Sequence, residues 1–366
     1  MVGGRDLNDL ILTHKPEDSF YVYELETLKR AHHEWTRAFP TIRPFYAVKC
    51  NPDERIVATL AALGAGFDCA SPTEIDLVLG LGVSTDRIIY ANPCKRMSDI
   101  MHARKNNINL TTFDSVCELQ KIASKFPESK VIIRIRADDP EARCNLGIKY
   151  GAEEKDWETL LGMAQRLCLD VVGVSFHVGS MAKNASAFCE GISRAKKISI
   201  KAENFGFKFR ILDIGGGFSS TNVFDLGPVP NSINQCLAEN FGNEMEVIAE
   251  PGRYFVEHVA TLVTDVMGTK PTGITISESL YGAFNCKLFD HAEPEFYFLN
   301  SEGKLETKMI FGSTCDGGDL ICKEAQVPSD IGVGSWMAWP RMGAYTSAAT
   351  TCFNGIPFNN RLKIYI

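Results

Sequence analysis

Eight short apolar runs alternate with helix-patterned segments between residues 43 and 250, six of those runs carry a polar or glycine-rich position at or near their ends, and the pattern changes after Tyr254. Together these observations predict a TIM (β/α)8 barrel followed by a C-terminal, mostly-β domain, sandwich- or barrel-like, that also takes in the N-terminal strand. The expected boundaries are 25–255 for the barrel, with 1–24 and 256–366 forming the β domain.

The strand candidates, in order, are Arg43–Lys49, Ala65–Ala70, Arg87–Ala91, Asn109–Phe113, Val131–Ala137, Asp170–His177, Arg210–Gly215 and Glu246–Glu250. Several are continuous apolar, β-branched runs, as suits strands covered on both faces. Between them, Thr73–Leu79, Val116–Lys125, Glu158–Leu167 and Ala185–Ala202 carry apolar residues at helical spacing. An open doubly wound sheet would announce a glycine-rich dinucleotide turn after its first strand, and this chain has none. Beyond Tyr254 the runs Ala260–Val266, Glu295–Phe298, Leu305–Ile310 and Ser335–Trp339 are separated by Gly, Pro and Asn turns, with little helical periodicity. Ser19–Tyr23 is also strand-like and precedes the first barrel helix, which assigns it to the β domain.

The chain has 366 residues, 45% hydrophobic and 23% charged, which suits two domains of a soluble globular protein. A net charge of -7 argues against a nucleic-acid surface and is compatible with a cationic substrate. No run approaches the length of a membrane span, and the N-terminus lacks a signal-peptide core, so the expected setting is cytoplasmic with no membrane partner. The 12 cysteines show no paired metal spacing, so no metal site is expected and reduced, mostly buried thiols are the default.

Barrel enzymes build their active sites at the C-terminal ends of the strands. Those ends here are Lys49, Asp68, Arg134, His177, the Gly215-Gly216-Gly217 turn and Glu250. A desolvated lysine at such a place is nucleophilic and can hold an aldehyde as a Schiff base. A carboxylate such as Glu250 can keep the pyridine nitrogen of pyridoxal phosphate protonated. Consecutive glycines let backbone N–H groups converge on an anion, and Gly252-Arg253 can meet a phosphate. His177 can stack on a flat ring or move a proton. Each also has a plain structural reading: a solvated strand-end lysine, a tight turn, an ion pair, a satisfied histidine, or, for Asp68 and Glu74, helix caps and surface acids. Jointly they supply what one cofactor needs.

These motifs resemble those of the eukaryotic-type ornithine decarboxylases, the fold-type III pyridoxal-phosphate decarboxylases. The matching segments are Phe45–Asn51, Phe67–Ser71, Ser175–Ser180, Leu212–Gly217, Ala249–Arg253, Tyr281–Cys286, Cys315–Asp319 and Met342–Thr346. The resemblance implies pyridoxal 5'-phosphate as cofactor. Lys49 would be its covalent anchor, Glu250 the partner of its ring nitrogen and His177 the stacking ring. Ser180, Gly215, Gly216, Gly217, Gly252, Arg253 and Tyr345 would hold the phosphate. Arg134 and Asp68 would orient the cofactor and the Lys49 neighbourhood, with Glu74 in support. Cys315 would return a proton to the substrate carbon, and Asp290 and Asp316, with Tyr281, would receive a small basic amino acid.

The resemblance further implies decarboxylation of L-ornithine to putrescine, in polyamine biosynthesis, by a head-to-tail homodimer whose active sites are shared across the interface. Lys149 and Asp319 match an inter-subunit ion pair of relatives. Phe289 replaces a tyrosine usual before the specificity aspartate, and Ser335 stands where relatives usually carry an acid. Ile366 follows the last expected strand, so the degradation-linked tail of animal relatives is expected to be absent. The competing readings are a lysine, arginine or diaminopimelate decarboxylase, a racemase, and a non-catalytic regulator resembling the antizyme inhibitors. Asp290-His291 keeps the ornithine pattern, Glu250 argues against a racemase, and the retained cofactor residues argue against the regulator.

Overall fold

The computed structural model describes residues 3–144, 146–182, 185–219, 225–242 and 244–366. The chain divides into two compact units: Lys29–Tyr254, and a second unit that joins the residues through Leu28 to Phe255–Ile366.

In chain order the first elements are α1 (Gly4–His14), β1 (Phe20–Tyr23) and α2 (Leu25–Ala38). The barrel follows as β2 (Ile42–Ala47), α3 (Glu54–Ala62), β3 (Gly66–Cys69), α4 (Pro72–Gly80), β4 (Ile88–Tyr90), α5 (Met97–Lys105), β5 (Leu110–Phe113), α6 (Val116–Lys125), β6 (Lys130–Arg134) and α7 (Trp157–Arg166). It continues through β7 (Asp170–Ser175), α8 (Ala185–Glu203), β8 (Ile211–Asp213), α9 (Val229–Asn240) and β9 (Glu246–Ala249). Strands β2 to β9 pair in parallel and close, β9 returning to β2 through Ile42 opposite Val247. This is the expected TIM barrel.

Local chemistry sets several helix starts. Asp53 accepts the N–H groups of Arg55 and Ile56 ahead of α3, and Ser71 and Ser115 cap α4 and α6, with Pro72 in the first turn of α4. Inside the barrel, Phe45, Ile89, Ile132, Val172 and Ile248 form one apolar layer, with Ile211 packed against it. Gly66 belongs to that layer because a Cβ there would lie 2.7 Å from the Phe45 ring. Side chains alternate with period two along a strand, so residues two positions further on share the lumen face: Asp68, Arg134, Asp213 and Glu250. The apolar layer is therefore the floor of a polar one.

The other unit continues with α10 (Arg253–Val256, its first residues in the barrel unit), β10 (Ala260–Lys270), β11 (Gly273–Ile276), α11 (Asn285–Phe289), β12 (Tyr297–Phe298), β13 (Leu305–Phe311), β14 (Leu320–Pro328), β15 (Trp336–Trp339) and β16 (Leu362–Tyr365). The sheet order is β12-β15-β10-β11-β13-β14, and β1 lies antiparallel to β10 and parallel to β16. The N-terminal strand thus belongs to the β domain, as its sequence suggests. Leu7, Phe20, Val22, Val263, Leu299, Ala338 and Ile364 pack as its core.

Several expectations change in detail. Helix α1 is absent from the sequence reading; its amphipathic face shows its purpose only once Leu7 meets the sheet core. Strands β11 and β14 were also unmarked, and Glu295–Phe298 shrinks to two residues. β2 stops at Ala47, and Lys49 stands in the 3-10 turn Val48–Cys50, where the Ala47 N–H donates to the Pro251 carbonyl. The cysteines are not all thiols: Cys189 and Cys236 are joined, because α8 packing on α9 brings their Cα atoms to 5.7 Å. A separation of 47 residues hides that pairing from sequence reading. Among the described residues no helix is long and apolar enough to cross a membrane, and no group of three or more His, Cys, Asp and Glu could hold a metal ion.

Candidate active site

The barrel unit gathers its polar strand ends at one mouth. Lys49 Nζ is ion-paired with the Asp68 carboxylate, whose side chain is almost fully buried while that of Lys49 is 40% exposed. A buried acid against a partly exposed amine keeps Lys49 directed inward. The second oxygen of Asp68, Oδ1, is buried and has no protein partner.

Glu250 follows β9. Its N–H donates to the Gly215 carbonyl at 2.7 Å, which fixes the β9 end against the glycine turn. Burial first, then Asp213 and Asp68, push the Glu250 carboxyl well above its ordinary range. Asp213 closes β8 and accepts the Gly215 N–H at 2.8 Å. Burial raises it too, while the Gly215 N–H pulls it down. Its Oδ2 is buried and unpartnered. Asp213 is a site residue that sequence reading did not single out; its signal was an acid two positions before a glycine run.

His177 lies just past β7. Its Nδ1 accepts the Gly179 N–H at 3.0 Å, so its proton sits on Nε2. Desolvation, then Arg134 and Lys49, hold its pKa well below the ordinary imidazole value. The ring is neutral. Gly216 is required beside it: a Cβ would stand 2.7 Å from His177 Nε2 and 2.8 Å from the Glu250 carbonyl oxygen. Gly215 and Gly217 have φ of 65° and 111°, which L side chains rarely adopt. A Cβ on Gly252 would sit 2.9 Å from Cys50 Cβ. Arg253 is buried and reaches Ser180 Oγ at 3.4 Å. Arg134 lies over the Tyr150 ring, 5.1 Å from its centroid. Glu74 is spent on its own helix: its carboxylate accepts the Ala70 N–H at 2.6 Å.

The β unit carries a second group. Tyr281 donates its hydroxyl to Asp316 at 2.7 Å, and Phe353 stacks on the Tyr281 ring at 4.1 Å. The Gly318 N–H, then Tyr281, hold the Asp316 carboxyl below its ordinary value. Cys315 is exposed and clasped twice by Asn354, which accepts the Cys315 N–H at 2.9 Å and donates to its Sγ at 3.2 Å. Asn354 has φ of 56° and sits 39 residues from Cys315, so no local pattern marks it. Asp319 is buried and accepts from Ser279, Leu280 and Thr314, an internal knot that ties the Tyr281 loop to the Cys315 turn. Lys149 is exposed. Asp290 is buried at the C-terminal end of α11, beside the exposed Phe289. Tyr345 has φ of 54°, followed by the buried Thr346, whose carbonyl accepts from Asn285 at 2.7 Å.

The model of the pyridoxal-dependent decarboxylase pyridoxal-binding domain matches residues 25–257. The chain belongs to this decarboxylase family. It is 41% identical to the ornithine decarboxylase of Mus musculus over 364 residues, covering 93% of this chain and 79% of that one. It is 40% identical to antizyme inhibitor 2 of Xenopus laevis over 378 residues, 96% of this chain and 83% of the relative. The crystal structure of the Paramecium bursaria Chlorella virus arginine decarboxylase bound to agmatine superposes with a TM-score of 0.95 at 36% identity, covering all of both chains. The cofactor of this decarboxylase family is pyridoxal 5'-phosphate. The barrel mouth fits it: unpartnered buried carboxylate oxygens call for a cationic ring, and the glycine turn leaves room where any side chain would collide.

Proposed function

We propose that this decarboxylase converts L-ornithine to putrescine and carbon dioxide, a step of polyamine synthesis. The observation that carries the reading is the pair Tyr281–Asp316 beside Cys315: a carboxylate held ionised on the same turn as an exposed thiol. Such an anion suits the distal ammonium of a basic amino acid, with Asp290 as a second acid. The choice of ornithine over lysine or arginine rests on the resemblance at Asp290-His291 and on the ornithine decarboxylase relatives.

Within the barrel, Lys49 would anchor the cofactor and Glu250 would keep its ring nitrogen protonated. His177 would lie against the ring as a neutral imidazole, adding no charge to that face. Ser180, Gly215–Gly217, Gly252, Arg253 and Tyr345 would hold the phosphate. Pyridoxal phosphate, when bound, supplies the electron sink for the pair left as carbon dioxide departs. Asp68 positions the Lys49 amine through their ion pair, and Cys315 would deliver the proton from Sγ to the substrate carbon. Cys315 and Asp316 would act in a homodimer whose sites are shared between subunits.

Decarboxylation measured side by side on ornithine, lysine and arginine tests the substrate; ornithine should give the highest kcat/KM, and a preference for either of the others sinks the choice. The likeness to antizyme inhibitor 2 supports a second reading, a non-catalytic regulator. Borohydride treatment separates them. Cofactor fixed on Lys49 is expected, whereas a protein with no imine absorbance and no fixed cofactor is the regulator.

A further inference from the structure

Cys189, near the start of α8, and Cys236, in α9, are half-buried and joined. The Cys189 sulfur lies 3.6 Å from the Ser232 carbonyl oxygen, an acceptor for its S–H once reduced, so each redox state has a partner. The 47-residue span they close contains β8 and the Gly215–Gly217 turn. Two contacts connect the crosslink to that turn. Phe188, beside Cys189, packs on Phe218, directly after Gly217, with ring centroids 4.8 Å apart. The Ala182 N–H, shortly before α8, donates to the Gly217 carbonyl at 3.1 Å.

We propose that Cys189 and Cys236 are a reversible thiol–disulfide couple whose oxidation fastens α8 to α9, steadies the glycine turn, and slows loss of the cofactor. The last step rests on the proposed role of that turn as a phosphate cradle. The oxidant is a low-molecular-weight disulfide such as oxidised glutathione. One protein thiolate attacks a glutathione sulfur and releases the first glutathione thiolate; the second protein thiolate then attacks the protein sulfur of the mixed disulfide and releases the other. Two electrons pass from the two cysteines to the glutathione disulfide, and their two protons end on the two glutathione thiols. Because the crosslink closes a long span, its loss destabilises the barrel chiefly by freeing the unfolded chain.

The test uses the full-length, cofactor-loaded protein equilibrated in oxidised or reduced glutathione, alkylated, digested without reductant and mapped by mass spectrometry. The oxidised sample should contain the Cys189 and Cys236 peptides linked, and the reduced sample both alkylated. Reduction should speed loss of bound pyridoxal phosphate during dialysis by about threefold or more and lower the melting midpoint of the cofactor-free protein by roughly 10 °C. A Cys189→Ser/Cys236→Ser double variant should lose cofactor at the reduced rate in both buffers. Alkylation of both cysteines even in oxidised glutathione, or a double variant that still responds to reductant as the parent does, overturns the couple. A linked pair whose reduction moves the midpoint but not the cofactor loss overturns the coupling of the crosslink to cofactor retention, whereas failure of the phosphate assignment itself is read from Gly216→Ala.

Discussion

Asp213 shows how a residue without an assigned role can govern its neighbours. It accepts from Gly215, helps raise the Glu250 carboxyl through its charge, and has its own pKa raised from 3.8 to about 7, mainly by burial. A carboxyl whose folded pKa lies above its unfolded value stabilises the fold at low pH and loses that contribution as pH rises through the folded value. The cofactor-free protein should therefore melt several degrees lower at pH 8 than at pH 5, and Asp213→Asn should flatten that slope; an unchanged slope would show that other groups set it. Bound cofactor should also flatten the slope, since a cationic ring gives the ionised acids a partner. At Cys315 the two hydrogen bonds with Asn354, one accepted and one donated by the Asn354 amide, are together worth about 1–3 kcal/mol. Asn354→Ala should accordingly slow turnover about tenfold with the protein still folded, as read by steady-state kinetics beside a circular-dichroism melt.

Among the elements, the glycine turn after β8 has the least room for change. Gly216 faces His177 on one side and the Glu250 carbonyl on the other. Gly216→Ala forces one of them away, at a cost of about 1–3 kcal/mol as for overpacking elsewhere. The expected result is a melting midpoint lower by a few degrees and weaker cofactor retention, measured by absorbance after dialysis. Retention equal to that of the parent would remove the turn from the cofactor site. The Trp35, Phe39, Phe188, Phe218 and Tyr254 rings pack as one cluster behind this turn, so its backbone rests on buried aromatic surface. Helix ends matter less: Ser71→Ala removes one cap and should cost only about 1 kcal/mol.

For the whole molecule, the question is how the barrel group and the Cys315–Asp316 turn cooperate. If the proposed homodimer shares its sites, mixing Lys49→Ala protein with Cys315→Ala protein should restore activity that neither has, up to about a quarter of the parent value in a random mixture of equal dimers. No recovery from subunits shown to exchange would refute sharing. Asp319 changes the expectation for the interface, because its carboxylate is already engaged by Ser279, Leu280 and Thr314 within one chain. Asp319→Ala should therefore disturb the Tyr281 and Cys315 loops of an isolated subunit as well as any contact between subunits.

The sequence by itself determined the barrel, because eight strand ends with period-two and helical spacing are local patterns that survive without coordinates. It also determined the cofactor class, since Lys49, His177, the glycine turn and Glu250 stand at strand ends that a closed barrel must bring to one mouth. Helix α1, strand β14 and the Cys189–Cys236 crosslink were not legible: their reasons lie in partners far away in the chain. The upward pKa shifts of Asp213 and Glu250, and the clasp of Asn354 on Cys315, belong to the same class. Only tertiary structure decided these, because burial and distance, which set a pKa or join two sulfurs, are properties of the folded packing and not of any run of residues.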